Sequence, residues 1–247
     1  MFRFAINRLL QAIPVLLVVI SITFLLVHSA PGGPFSADKA VPPEVLKALE
    51  AQYKLDQPLW QQYVGYLNDV LHGDFGPSFK YPGRTVNELI ASGLPATAEL
   101  AFYAMLVALF IGASAGVVAA TRPNTLQDYL PMSAAMLGIC MPSFLLGPLL
   151  VLVFGIHLEW VPVSGWGDSA GDKILPAITL GTGYAAYIAR LSRGGMLEVL
   201  SQDYIRTARA KGLPESLIIA KHALRGGLIP VIAFIGPAFA GLLGGSF

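Results

Sequence analysis

Five apolar stretches separated by polar ones set the pattern of this chain. The first, residues 9–27, is nineteen residues without a charge and follows Arg3 and Arg8. A helix needs about 20 apolar residues to cross the hydrocarbon core of a bilayer, so this reads as a first span. A cleaved signal peptide is the rival reading, because a basic start and Ser29-Ala30 are present. The apolar run, however, exceeds the usual h-region of about 7–15 residues. Residues 100–120 form a second span, also uncharged, and turn back at Thr121-Arg122-Pro123-Asn124. Residues 129–156 are 28 uncharged residues with Pro131, Pro142 and Pro148 among them. A single helix of that length would run about 42 Å, so a break near Met141-Pro142-Ser143 is expected, with the third span mostly after it. Residues 174–189 give a short fourth span, and residues 226–247 a fifth that Pro230 and Pro237 should bend.

The polar stretches carry their own periodicity. Between residues 28 and 99, Pro31-Gly32-Gly33-Pro34 reads as a linker. A helix is expected from Pro43, with Val45, Leu46, Leu49 and Tyr53 on one face. A second should start near Pro58, place Leu59, Tyr63, Tyr66, Leu67 and Val70 on one face, and stop at Gly73. Asp74-Phe75-Gly76-Pro77-Ser78-Phe79 is turn-rich, and Thr85 with Glu88 has the spacing of a capping box for a short helix before the next span. Such a segment either packs on itself as a small cap or offers a docking surface to a soluble partner. Residues 157–173 form another polar loop, whose Trp160 and Trp166 suit a membrane interface.

Composition agrees with the pattern. The 247 residues are 55% hydrophobic and 13% charged, with mean hydropathy +0.63, far from the quarter-charged balance of soluble domains. An all-α polytopic membrane protein is the expected class. Its 26 Gly and 18 Pro fit kinked, closely packed membrane helices. Cys140 is the lone cysteine, so no intrachain disulfide forms, and it reads as a small buried hydrophobe. Charge placement is more telling than the net +1. With the N-terminus in the cytoplasm, residues 1–8, 121–128 and 190–225 lie inside and hold ten Lys and Arg against four acids. That bias follows the positive-inside rule.

Several apparent motifs carry no chemistry. Gly112-Ala113-Ser114-Ala115-Gly116 matches the nucleophile-elbow string, but that motif needs a strand-to-helix turn and here the apolar run continues on both sides. Its Gly-x-x-x-Gly spacing points to close helix approach instead. Gly181-Thr182-Gly183-Tyr184-Ala185-Ala186 likewise lacks the alternating βαβ setting of a dinucleotide site and reads as helix packing. No Gly-x-x-x-x-Gly-Lys-Ser/Thr phosphate loop occurs, so ATP binding and hydrolysis are not expected of this chain, nor is a cofactor or metal. A secondary transporter would hold ionisable groups inside its spans, and Arg190 at a span end is the nearest candidate. A membrane-embedded enzyme would need its nucleophile or ligands near mid-membrane, whereas His28, His72, His157 and His222 lie at ends or in loops. A nucleic-acid role would need a basic domain or interleaved aromatics, and neither is present.

The stretch from 201 to 225, SQDYIRTARAKGLPESLIIAKHALR, is a polar, basic insert between spans. Leu197, Leu200, Tyr204 and Ala208 fall at i, i+3, i+7 and i+11, an apolar stripe on one expected helix. Arg206, Arg209 and Lys211 point elsewhere. Gly212 is placed to end that helix and Pro214 to open the next, whose Leu217, Ile218 and Leu224 give a second small apolar face. Ala208 and Ala210 keep the region beside the turn small. Two short helices joined by a Gly turn make a compact knob, suited to a cleft in a partner. The same basic pattern would also suit an amphipathic helix lying on anionic lipid.

Within the insert, Asp203-Tyr204-Ile205-Arg206-Thr207-Ala208-Arg209-Ala210-Lys211-Gly212 and His222-Ala223-Leu224-Arg225, followed by Leu228-Ile229-Pro230-Val231, resemble a known family. It is that of the membrane permease subunits of bacterial ATP-binding-cassette importers, in the dipeptide, oligopeptide and nickel branch. The family's loop consensus is Glu-Ala-Ala, three residues, Gly, then about nine residues before Ile-x-Leu-Pro. Here Arg206 and Thr207 replace its first two residues, Ala208 and Gly212 match, and His222 and Arg225 replace Ile and Pro around Leu224. Those departures are what the peptide branch looks like. Residues 42–45, 62–63 and 72–81 are similar to the first permease of an oligopeptide importer.

The resemblance implies the type I importer permease fold with five of an expected six spans present, which makes the chain a fragment or a truncated product. It implies a cytoplasmic end and first span over 1–27, an extracytoplasmic segment over 28–99, and a permease core over 100–247 that contains a cytoplasmic coupling loop at 190–225. It further implies a bacterial inner-membrane location and a heterodimer with a second permease, two cytoplasmic ATPase subunits and an external binding protein that delivers peptide, or nickel or another small solute in the alternative. Asp203, Tyr204, Arg206, Thr207, Ala208, Arg209, Ala210, Lys211, Gly212, His222 and Leu224 are the ATPase-coupling residues it implies, with Gly212 at the turn.

Overall fold

The computed structural model describes residues 2–29, 55–78, 80–81, 83–167 and 169–244. The linker at 31–34, the helix expected from Pro43 to Tyr53, Phe79 and residues 245–247 lie outside these. Among the described residues every regular element is a helix or helical turn, apart from one isolated bridge between Pro77 and Thr85. The chain divides into two units, Met1–Gly93 and Leu94–Phe247.

In the first unit, helix α1 (Phe2–Ser29) contains the predicted first span. Its Leu9, Leu16, Ile22 and Leu26 are all more than half exposed, as a helix surrounded by hydrocarbon should be. Helix α2 (Leu59–Leu71) begins after Pro58 and stops before Gly73, whose φ of 78° ends it. Of the face predicted for α2, Tyr63 and Tyr66 meet α1 while Leu59 stays exposed: the Tyr63 and Ser21 hydroxyls lie 2.5 Å apart, and beside them His28 meets the Gln62 side chain at 3.1 Å. The Phe24 ring stacks on His28 and meets the Tyr63 ring at a tilt of 60°. The capping box is present, with the Thr85 hydroxyl accepting from the Glu88 N–H and the Glu88 carboxylate from the Thr85 N–H, both at 3.2 Å. It opens no separate short helix. Helix α3 (Val86–Thr121) runs from the box through the predicted second span, because Pro95, in the third turn of that helix, removes a single backbone donor and is not followed by a second breaker.

The second unit is arranged around one helix. Helix α4 (Leu126–Cys140) and helix α5 (Ser143–His157) meet at Met141-Pro142 with a bend of 108°. The break falls where the prolines placed it, since Pro142 has no N–H to continue the ladder. The two legs are equally long, about 22 Å each, and α4 packs extensively on α6, so the leg before the break belongs to the bundle as fully as the one after it. A capped turn at Ala170–Lys173, in which the Asp172 carboxylate accepts the Ser169 N–H at 2.9 Å, leads into helix α6 (Ile174–Leu200). The apolar run ends at Ala189, yet the helix continues for three more turns, because Arg190, Leu191, Arg193, Met196 and Leu197 are good helix formers. Helix α7 (Asp203–Ala210) and helix α8 (Glu215–Gly227) form the insert. Helix α9 (Ile229–Gly244) follows with a 50° bend at Leu228. That bend precedes Pro230 because a proline ring crowds the carbonyl four residues back, here Gly226.

Small residues let α6 lie deep among its neighbours. A Cβ on Gly112 of α3 would sit 2.4 Å from the Ala185 carbonyl oxygen, and one on Gly116 2.4 Å from that of Ala189. Gly138 of α4 meets Thr182 and Gly227 of α8 meets Met196 in the same way. The Gly-x-x-x-Gly and Gly181–Ala186 strings thus serve helix packing, as close approach in a bundle requires. By length and apolarity, α1 and α3 each suffice to cross a membrane, and the α4–α5 and α8–α9 pairs each do so if the bend is spanned. Helix α6, the predicted fourth span, is not among these, since Thr179, Thr182, Tyr184, Tyr187 and Arg190 dilute its apolar surface. Cys140 is exposed, which corrects its reading as a buried residue. It ends α4 at the bend, and in a membrane chain apolar side chains face outward as well as in.

Candidate coupling insert

Helix α6 does not run on into α7. It stops at Leu200, and Gln202, with ψ 151°, is extended and precedes a new helix whose first turn carries Asp203. The single stripe through Leu197, Leu200, Tyr204 and Ala208 is therefore corrected. The break rotates the register, so that Ile205 is fully buried while Tyr204 stays half exposed. Ile205 joins Ala208, Ile218 and Ala223 of the insert in one core with Ala120 of α3 and Met196 of α6; Leu197, Leu200, Leu213 and Leu224 pack around it. Full burial of an isoleucine contributes about 1.5–3 kcal/mol, so Ile205 and Ile218 seat the insert firmly on the ends of α3 and α6. Of the predicted second apolar face, Ile218 is buried and Leu224 packs on the same core, but Leu217 is exposed.

Gly212 is where the turn was expected. Helix α7 ends at Ala210, the Gly212 N–H donates to the Arg209 carbonyl at 2.9 Å, and the Leu213 N–H donates to that of Ala208 at 3.3 Å. These two bonds with a φ of 77° at Gly212 form a Schellman turn, which favours glycine at that position. No atom lies within 4 Å of a Cβ built on Gly212, so the tip projects into open space. Around it Asp203, Arg206, Thr207, Arg209, Ala210 and Lys211 are exposed, and His222 is half-buried in a widened helical turn from Ile218 to Ala223. The Thr207 hydroxyl donates to the Asp203 carbonyl at 3.0 Å. Arg206 meets Asp203 at 3.4 Å within α7, while Arg209 makes two bonds to Glu215 across the turn, at 3.1 and 2.6 Å. Hydrogen bonding from Arg209 lowers the Glu215 pKa and hydrogen bonding from Glu215 raises that of Arg209. The arrangement is a buried apolar base under a polar, positively charged tip.

Two ion pairs that sequence reasoning did not find hold the ends of α6. At the end next to the insert, Arg193 donates to both oxygens of Asp128, at 2.7 and 2.6 Å, and Asp128 is 2% exposed. At the other end, Lys173 pairs with Glu99 of α3, and its ammonium lies over the rings of Tyr103 and Trp166 at 5.9 and 5.7 Å. The partners lie 65 and 74 positions apart, beyond the reach of any local pattern. Among the described residues no group of three or more His, Cys, Asp or Glu side chains could hold a metal ion.

Residues 112–247 match the family described as the binding-protein-dependent transport system inner membrane component, and residues 1–101 match the description of the N-terminal part of such a membrane component. The chain is 50% identical, over all 247 of its residues and 81% of the relative, to the oligopeptide transport system permease protein OppB of Salmonella typhimurium. It is 49% identical to the protein of that name from Haemophilus influenzae, again over its whole length and 81% of the relative. With the dipeptide transport system permease protein DppB of Bacillus subtilis it shares 44% identity, over its whole length and 80% of the relative. An all-helical chain with bilayer-length apolar helices and these relatives belongs to the inner membrane permease components of binding-protein-dependent transport systems.

Proposed function

We propose that this permease forms half of a peptide path across the bacterial inner membrane, and that residues 203–212 with His222 and Leu224 dock on a cytoplasmic ATPase subunit. The carrying observation is the exposed Schellman turn at Gly212 on a buried apolar base. A tip without side-chain bulk enters a cleft, and a base packed on α3 and α6 passes the movement of that cleft to the bundle. The relatives' names, oligopeptide and dipeptide permease, support peptide as the solute. In this reading a second permease completes the path, two ATPases supply the energy by closing around ATP, and an external binding protein delivers the peptide. The N-terminus and the insert lie in the cytoplasm, as the distribution of Lys and Arg favours.

Cysteine chemistry tests both parts. In a Cys140→Ser background, Asp74→Cys should react with a membrane-impermeant maleimide added outside, and Ser201→Cys should react only after permeabilisation. Asp74 suits this because it is exposed, whereas Ser78 nearby is buried. Lys211→Cys should then form disulfides with cysteines placed on the co-expressed ATPase. Labelling of Ser201→Cys from outside, or no ATPase cross-link from any exposed insert position, overturns the proposal.

A further inference from the structure

Asp128 accepts three hydrogen bonds. Two come from the Arg193 guanidinium of α6, and the third from the Asn124 backbone N–H at 2.9 Å, in the turn between α3 and α4. Asn124 has a φ of 62°, so the carboxylate also holds that turn in a left-handed backbone state. One buried side chain therefore ties the turn that follows α3, the start of α4, and α6 three residues before Met196. Met196 and Ala120, from two of these helices, form part of the base on which the insert sits. Gly116 sets the distance, since the backbone nitrogen of Arg193 lies 2.9 Å from where its Cβ would be.

We infer that the Asp128–Arg193 pair is the lock that makes the insert, the end of α3, α4 and α6 move as one body when the ATPase moves the tip. This rests on the coupling role proposed above. Asp128 and Arg193 are positioning residues that touch neither peptide nor ATPase. Packing alone lets helices slide along one another, as the shear of packed helices in many proteins shows. A bidentate guanidinium–carboxylate pair fixes both distance and angle, and with Asp128 buried, separating the two leaves an uncompensated charge. Sliding of α4 along α6 is thereby disfavoured and the stroke passes on undivided to the bend at Met141-Pro142.

The test uses the full complex with its cognate partner subunits in proteoliposomes, with tri-alanine as the transported probe. Asp128→Asn should assemble and keep its basal ATP hydrolysis, while tri-alanine taken up per ATP falls by about tenfold, within the range usual for coupling between sites. Arg193→Lys, which keeps the charge but not the bidentate geometry, should fall less and serves if Asp128→Asn does not accumulate. The exchange Asp128→Arg with Arg193→Asp should recover part of the loss. Spin labels on Leu126→Cys and Lys221→Cys, both exposed and outside the docking residues, with Cys140→Ser, should keep one separation with and without ATP in an otherwise unchanged complex, and should separate or broaden in Asp128→Asn. An unchanged yield per ATP in assembled Asp128→Asn and Arg193→Lys, or a label separation that changes with ATP when the pair is intact, overturns the inference. Absence of ATP-dependent uptake with the pair intact would instead count against the proposed function.

Discussion

The two ends of helix α6 are tied by ion pairs of opposite character. Near the insert, Arg193 grips a buried Asp128 with both arms of its guanidinium. At the far end, Lys173 meets a partly exposed Glu99 as a single ammonium, beside the rings of Tyr103 and Trp166. A compact ammonium keeps its attraction over a range of angles, whereas a paired fork does not. The difference teaches where the bundle resists movement and where it yields. Under the proposed coupling the insert end is the one that transmits, and the far end lets Tyr103 of α3 and the loop that carries Trp166 shift without losing the contact.

The largest effect should come from the packing beneath the insert-end pair. Gly116→Leu would drive its side chain into Ala189 and Ser192 backbone and Cβ atoms only about 2.5 Å from its first carbon. Strain of that size in a close-packed seam is not relieved by rotamer change, so the chain should fail to accumulate in the membrane. Quantitative blotting of membranes checks this, and a yield equal to that of the unsubstituted chain would show that the seam is slack. Asp128→Ala comes next. It leaves Arg193 with an unpaired charge and should cost about 3 kcal/mol or more, the usual penalty for breaking a buried pair. Lys173→Met should scarcely move the melting temperature in detergent, because a partly exposed pair is screened by solvent. Similar losses in both variants would erase the contrast between the two ends. The smallest effect concerns the insert's own pair. The folded-state pKa of Glu215 is depressed, so its contribution is present above the ordinary glutamate value of 4.5 and fades as pH falls through the lowered folded value. Proteolysis between Ala210 and Pro214 should therefore be flat from neutral pH down to that range and accelerate below it, and Glu215→Gln should remove the acid step.

Much of this was legible along the chain, and the exceptions have physical causes. The spans at 9–27 and 100–120 could be read because bilayer thickness imposes a length on apolar runs. The break at Pro142 and the turn at Gly212 could be read because a missing N–H and a positive φ each favour one residue type. The end of α6 could not be read from the apolar run, since backbone hydrogen bonding continues through Arg190 and Arg193 wherever no breaker intervenes. In α7 the stripe predicts Tyr204 beside Ala208, whereas Ile205 is the residue buried with Ala208, because helical periodicity does not carry across the extended Gln202. An acidic first turn at Asp203 was the available sign of a new helix. Asp128 enters the sequence reading only as one of the four acids counted inside, and only folding sets it beside Arg193.

The account stands most directly on Gly212. In the reconstituted complex, Gly212→Arg puts a long charged side chain on the tip, in open space and without contact with the core; the φ of 77° there costs a non-glycine residue about 1–2 kcal/mol, a local strain in the turn that leaves Ile205 and Ile218 seated, so membrane insertion and assembly should be preserved. Peptide uptake measured together with ATP hydrolysis in the same proteoliposomes decides the matter. Uptake per ATP hydrolysed should collapse while the assembled complex is retained, and uptake at the unsubstituted rate and yield would contradict the insert as the place where this permease receives its energy.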